Sequence, residues 1–433
     1  MLPYRTKTLW SINKGHLMAD EYRPLATLFH MDASTVAPAH LEELAHARLT
    51  ADSTFRTGIT TKLGELFIGL PRELTRQLND VLARESSIAV LWNGIPRIMK
   101  HSYIVHAISE EILSTNDIEG VRSTRKEVQD AVETAQHEAG HTASNAPRDP
   151  YRTVRFEEFA RLYLGLTDEQ AQLPQTLDDL RTIYDDVVGD EIADADRPDG
   201  ELFRNGDVEI IGAGERVVHT GAHSEARINE LLTQMLALMK SKQIPQLLAA
   251  TAAHFLFEYT HPFYDGNGRM GRYLLALNLR PTLTLPSVLS LSRTIADNRQ
   301  RYYKAFSSVE NPLNHGELTF FVQMLLECIA QAQTELIERL TQQLNRLGRI
   351  HAHCGALGRE HQLSDHAHQT LFALIQKAAF DNPGGMTLDD TAQHLQLSKQ
   401  SARKTVEELE RADLIAFTKR RPLTFAYAGE LPE

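Results

Sequence analysis

The chain has 433 residues with 45 lysines and arginines against 57 aspartates and glutamates. Its net charge of -12 excludes a molecule that binds nucleic acid nonspecifically over its whole surface, while leaving room for one basic module. A hydrophobic content of 42 % and a charged content of 24 % are those of an ordinary globular protein, at a length that accommodates two or three domains.

Two cysteines, Cys328 and Cys354, are too few for a disulfide framework, and no apolar run reaches membrane-spanning length. Residues Met1 to Lys7 carry no apolar signal core, so a cytoplasmic protein without a membrane partner is expected.

Residues 1–98 read as a mostly helical extension that serves as packing scaffold or partner surface, with amphipathic spacing over Leu41 to Leu49 and Leu70 to Leu78. From His101 to Gly120 the spacing predicts a helix with Ile104, Ile108, Ile112 and Leu113 on one face, and Gly120 suits its cap. Glu119 lies in the last turn of that helix, where a carboxylate opposes the dipole and prefers a cationic partner from elsewhere. Further helices are predicted over Ser123 to Glu138, near Phe156 to Leu166, and over Leu177 to Val188. A polar loop spans residues 141–150 and an acidic solvated one 185–201. The stretch 207–219 alternates and turns like a β-hairpin, with Val208, Ile210 and Ile211 in its first arm.

The rest of the chain is organised around His261-Pro262-Phe263-Tyr264-Asp265-Gly266-Asn267-Gly268-Arg269-Met270-Gly271-Arg272. The run Leu247 to Glu258 has helical composition, Pro262 and Gly266-Asn267-Gly268 stop it, and a second helix restarts over Arg269 to Leu279. A glycine loop that opens a helix offers free N–H groups and a positive dipole end, which is an anion site. Asp265 beside phosphate would repel it unless a cation intervened, so Mg²⁺ is its expected ligand. Arg269 and Arg272 are three apart on one helix face and suit the outer phosphates. His261 faces the loop as a candidate general base for a hydroxyl. His254 reads as a structural histidine and Phe263 as packing.

Downstream, Ile295 to Phe306 predicts a helix that packs aromatics. Leucines and other apolar residues from Leu318 to Leu347 recur at three- and four-residue steps, which predicts a long helix buried against the core or, alternatively, used as a homodimer seam. That helix continues through a connector at 336–360. Residues 361–433 predict helices over Leu371 to Phe380, Leu388 to Leu395 and Ser398 to Leu409. Two short strands follow, Leu414 to Phe417 and Leu423 to Tyr427, around Lys419-Arg420-Arg421-Pro422. This module resembles a winged helix-turn-helix. Lys399, Arg403, Lys404 and the wing cations suit DNA phosphates, while Glu407, Glu408 and Glu410 oppose them, so DNA and protein contact both stay open.

His261, Phe263, Asp265, Gly266, Asn267, Gly268, Arg269 and Arg272 fill every fixed position of the signature of the Fic family, which the chain resembles over about 101–330. The resemblance implies a mainly α fold: a helical core over 99–335 with a β-hairpin flap (207–220) and the signature loop (261–272). It implies transfer of AMP from ATP to a Ser, Thr or Tyr hydroxyl of a target protein, self-modification included, with pyrophosphate released. His261 would be the base, and Gly266, Asn267 (backbone and amide), Gly268, Arg269 and Arg272 would hold the phosphates. Asp265 would hold Mg²⁺, and Asn298 would bond the nucleoside. The flap, with Val208, Ile210 and Ile211, would align the target by strand addition. Thr115, Glu119 and Gly120 match the family's inhibitory helix (101–120), which implies that Glu119 pairs with Arg272 and withdraws it from ATP. Transfer of another nucleotide, removal of AMP at the same site, and a nucleotide-sensing winged-helix regulator are the alternatives.

Overall fold

The computed structural model describes residues 22–140, 154–168, 171–188, 191–211, 217–379 and 385–431. The 141–150 loop, the hairpin tip at 212–216 and the break at 380–384 lie outside these residues. No described helix is long and apolar enough to cross a membrane.

The N-terminal part opens with helices α1 (Leu25–Met31) and α2 (Ala37–Leu49) and then departs from the mostly helical expectation. Strands β1 (Thr54–Thr61) and β2 (Gly64–Gly69) form an antiparallel hairpin before α3 (Arg72–Gly94). Gly58 and Gly64 take positive φ at a register irregularity and at the turn, where a side chain would be strained. Leu66, Phe67 and Ile68 of β2 are all buried, an apolar run covered on both sides. The backbone of β2 meets the start of a later helix through Leu318 N to Phe67 O at 2.8 Å.

The central part comprises α4 (Arg97–Glu119), α5 (Arg125–Gly140), α6 (Glu157–Gly165) and α7 (Leu177–Val188), followed by the antiparallel pair β3 (Glu209–Ile211) and β4 (Val217–Thr220). It continues through α8 (Glu225–Met239), α9 (Gln246–Thr260), α10 (Asn267–Leu279), α11 (Leu285–Val288), α12 (Leu291–Asp297) and α13 (Arg299–Glu310). Nearly every residue of α9 and all of α10 are buried, so these two helices form the middle of the bundle and everything else is laid around them. Ile108 and Ile112 of α4 are buried in the same core, with Ile104 and Leu113 packed at its edge, as the spacing predicted.

Helix α14 (Thr319–Glu360) runs for 42 residues, and its apolar stripe from Leu318 to Leu340 is buried in this chain's own core. One apolar cluster joins Ile59 to Leu340, including residues of β1 to α3. A second cluster starts on the same helix at Ile350 and Cys354. It gathers α15 (Asp365–Ala379), β5 (Met386–Thr387), α16 (Leu388–Leu395), α17 (Lys399–Arg411), β6 (Ile415–Arg420) and β7 (Leu423–Tyr427), with the three strands in the order β5-β7-β6. Thr387 and Asp390 close a capping box at the start of α16, and Ser398 caps α17. Strand β6 extends further than expected and takes Lys419 and Arg420 into its exposed edge.

Candidate active site

The loop between α9 and α10 is held by packing on one side and by its own amide on the other. His261 ends α9 in the left-handed region with φ 49°, a conformation that turns the chain sharply out of the helix. Phe263 is buried and stacks on Tyr184 of α7 with ring centres 3.5 Å apart, which fixes the loop as the sequence suggested. Gly266 takes φ 81°, and a Cβ there would lie 2.5 Å from Val188, so glycine is required twice over.

Asn267 clasps the loop through its side chain. Its side-chain amide accepts from Phe263 N at 3.0 Å and donates to Phe263 O at 2.8 Å. These bonds commit one N–H and one lone pair of the amide to the shape of the loop, and the start of α10 adds backbone N–H groups suited to an anion.

A carboxylate already lies at that helix start. A Cβ on Gly268 would fall 2.2 Å from Glu119 Oε1, so the Glu119 side chain rests against the Gly268 backbone. Glu119 also accepts from Arg272 Nη2 at 2.7 Å. Thr115 completes the hold: Arg272 Nε donates to its Oγ1 at 2.7 Å and Nη2 to its carbonyl at 3.2 Å. Gly120 caps α4 with φ 72° and lets the chain leave at once. Burial alone would lower the Arg272 pKa, and the Glu119 carboxylate, with Tyr302 and Glu258 behind it, more than reverses that.

Arg269 differs from expectation. It is 1 % exposed, and Nη1 donates to Glu191 Oε2 at 2.6 Å, while Glu191 also accepts from Arg155 Nε at 3.0 Å. Its Nε is buried without a partner. The two arginines of the motif are thus each paired with a carboxylate from another element, Glu191 and Glu119.

Asp265 is exposed at the mouth of the loop, where Oδ1 accepts from Gly266 N at 2.6 Å. Among the described residues no group of three or more histidine, cysteine or acidic side chains is arranged for an ion. One exposed carboxylate beside a phosphate-type loop fits a Mg²⁺ that arrives with a nucleotide, because Mg²⁺ keeps most of its water and takes one or two protein carboxylates. Asn298 lies at the junction of α12 and α13, where its amide donates to Thr294 O at 2.9 Å and Gln331 Oε1 at 3.0 Å. Its neighbour Arg299 reaches the Asp117 carbonyl, close to Glu119.

His261 is deeply placed, and burial, then the neighbouring His219 and Arg204, push its imidazole down to about 3. An uncharged ring at neutral pH is the form that accepts a proton. Arg204, fully buried, was not legible in the sequence: Nε donates to His261 O at 2.7 Å and Nη2 to Thr260 O at 3.3 Å, and the guanidinium also bonds Gly206 O. It ties the α9 end to the root of the β3–β4 hairpin. In that hairpin Ile210 pairs with His219 and Ile211 with Val217, while Val208 precedes the strand and accepts from Gly221 N at 3.0 Å. Ile210 and Val217 are exposed.

Behind the loop, His254 is structural as expected: it bonds Gly271 O at 3.1 Å and Tyr302 OH at 2.7 Å. Glu258 was missed. Its carboxyl packs against Gly271 with Oε1 unpartnered, and burial pushes it up to about 8. Burial thus favours the protonated carboxyl in the folded protein, a stabilisation fully present below the ordinary 4.5 and lost as pH rises through 8. Wild-type stability is therefore expected to fall by about 1 kcal/mol between pH 7 and 8. Urea midpoints of Glu258→Gln should lose most of that fall, and an unchanged fall would clear Glu258 of it.

Residues 174–279 match the model of the Fic/DOC family. That segment holds α7 to α10 with the hairpin and the loop, and leaves α4 outside. The chain is 24 % identical over 307 residues to the protein adenylyltransferase Fic of Drosophila willistoni, covering 70 % of this chain and 53 % of that protein. It is 24 % identical over 304 residues to the protein of the same description from Drosophila virilis, covering 70 % and 54 %. The chain spans about half the length of the curated relatives it matches. Among solved structures, a Fic family protein from Desulfovibrio desulfuricans G20 aligns with a TM-score of 0.47 at 20 % identity, over 84 % of this chain and 98 % of that one.

Proposed function

We propose that this protein, working in the cytoplasm, transfers AMP from ATP to a hydroxyl side chain of a target protein, with release of pyrophosphate, and that Glu119 restrains the reaction. The observation that carries the reading is the Glu119 carboxylate lodged against Gly268 and bonded to Arg272: the chain fills its own anion site with an anion. ATP phosphates compete for the same helix start and the same guanidinium.

In this reading the α10 start holds the α-phosphate, and Arg272, once released, meets the outer phosphates. Arg269 stays anchored by Glu191 and lends its charge from the side. Asp265 would hold Mg²⁺, which supplies charge neutralisation on the phosphates. His261 accepts the proton of the target hydroxyl as that oxygen attacks the α-phosphate in line and the bond to pyrophosphate breaks. The exposed edge residue Ile210, with Val208 and Ile211, receives the target as an added strand.

The test is intact mass of Glu119→Gly protein after incubation with Mg²⁺ and ATP labelled at the α or the γ position. An AMP-sized gain with the α label on itself or on a supplied protein supports transfer, whereas a γ label makes the protein a kinase. No modification leaves a nucleotide-sensing regulator.

The C-terminal unit we read as a winged helix that contacts DNA. Glu408, which seemed to oppose this from the sequence, is turned away and accepts from Ser364 N and Oγ at 2.6 and 2.7 Å. Arg403 and Lys404 of α17 and Lys419, Arg420 and Arg421 of the hairpin are exposed, though Lys399 is occupied by Asp389 at 2.7 Å. Duplex binding should weaken with salt, and Arg403→Ala with Lys404→Ala should reduce the salt slope by about 2. Salt-independent or absent binding would favour a protein partner.

A further inference from the structure

The β3–β4 hairpin carries a second imidazole to the site. His219, opposite Ile210 in the hairpin register, is buried, and its Nδ1 lies 2.8 Å from Glu310 Oε2 at the end of α13. The carboxylate can only accept, so Nδ1 donates, and the neutral ring keeps Nε2 as a bare acceptor. That Nε2 is buried without a partner, and so is Nδ1 of His261. The two rings stand 6.2 Å apart between centres, inclined by 59°. Two unpartnered imidazole nitrogens in one buried corner are unusual, because buried polar atoms are normally bonded.

The other groups around this corner are few. Tyr259 packs on the His219 ring at 5.7 Å, and Lys62 from the β1–β2 turn lies 5.8 Å over Tyr259, with Arg227 near the same ring. Arg204 holds the His261 carbonyl, and the Glu258 carbonyl favours a proton on His261 without making a bond of ordinary length. Of these, Glu310 is the only acid bonded to either ring among the described residues.

We propose that His219, fixed by Glu310, is a positioning residue that sets the protonation of His261 and so keeps the base ready for the target hydroxyl. Two imidazolium charges at this separation in a buried site repel strongly, so a ring held in this corner opposes a proton on His261. The effect on rate rests on the AMP-transfer reading, while the coupling between the rings does not.

The experiment is NMR titration of the full chain carrying Glu119→Gly and nitrogen-labelled histidine, with and without His219→Gln, beside the pH profile of AMP transfer. We expect neutral His219 in the Nδ1–H tautomer, and a His261 midpoint that rises by about one pH unit in His219→Gln. The acid limb of the rate profile should move up with it, while the KM for ATP stays within about twofold. A His261 midpoint that does not move, or a rate lost equally at every pH, overturns the proposal. Absence of AMP transfer in the Glu119→Gly parent would sink the functional reading, and the midpoints would still decide the coupling. Should His219→Gln not fold, the parent spectrum decides: coupled rings each respond to the other's titration, and independent rings show single midpoints.

Discussion

Glu119→Gly is expected to raise AMP transfer by roughly 5- to 150-fold, the range of a coupling free energy of about 1–3 kcal/mol. The sign follows from what the carboxylate touches. It occupies the helix start at Gly268 and one arm of Arg272, so its removal opens two phosphate contacts at once. Arg272 is not orphaned by the change, because Thr115 still takes Nε and Nη2. That distinguishes it from a buried pair broken on one side only, which costs about 3–5 kcal/mol. Without ATP the variant should nevertheless melt lower than wild type, through a glycine in the last turn of α4 and an Arg272 with less charge compensation. Saturating ATP should restore part of that loss, since a ligand that binds only the folded state stabilises it by mass action. Glu119→Gln, which keeps the shape and drops the charge, should fall between the two. Equal labelling rates in wild type and Glu119→Gly on a verified target would reject restraint by Glu119.

What the sequence disclosed depended on how far apart the partners are. The loop from His261 to Arg272 was legible because its chemistry is written within twelve positions. Glu119 at a helix C-terminus asked for a cation, and the resemblance supplied Arg272 as that cation. Glu191 gave no such signal: it sits in an acidic stretch that reads as solvated, and only the fold brings it to Arg269. Arg204 and the pair His219 and Glu310 are equally silent, being single polar residues whose partners lie 56, 57 and 91 positions away. The Asn267 amide shows a different limit. An amide between glycines beside an anion site fits a ligand or a loop clasp equally well, and the bonds to Phe263 show the clasp. The β1–β2 hairpin was lost for a local reason, because Gly58 and Gly64 punctuate short segments and the buried run Leu66-Phe67-Ile68 carries no alternation that marks a strand.

His261→Ala, in the Glu119→Gly background, should lower transfer by about 10²–10⁴-fold, the usual contribution of a positioned base. Alanine confounds two effects at this position, because His261 holds φ 49° and a non-glycine residue there carries strain of about 1 kcal/mol or more. Asparagine visits that region more readily, so His261→Asn separates them. Both variants should lose the rate, and only His261→Ala should also lose melting temperature. Nucleotide affinity should survive in both, since in the proposed reaction the phosphates are met by the α10 start and Arg272 and the imidazole serves only the target hydroxyl. Removing the ring also removes a buried group held uncharged, so the acid side of the stability profile should flatten. The His261 value of about 3 is depressed from the ordinary 6.5, which means its stabilisation is present above pH 6.5 and lost as pH falls towards 3. A His261→Asn protein that still transfers AMP at a rate within about tenfold of its parent would move the base to another group, and the carboxylate-fixed ring of His219 would be the first to examine.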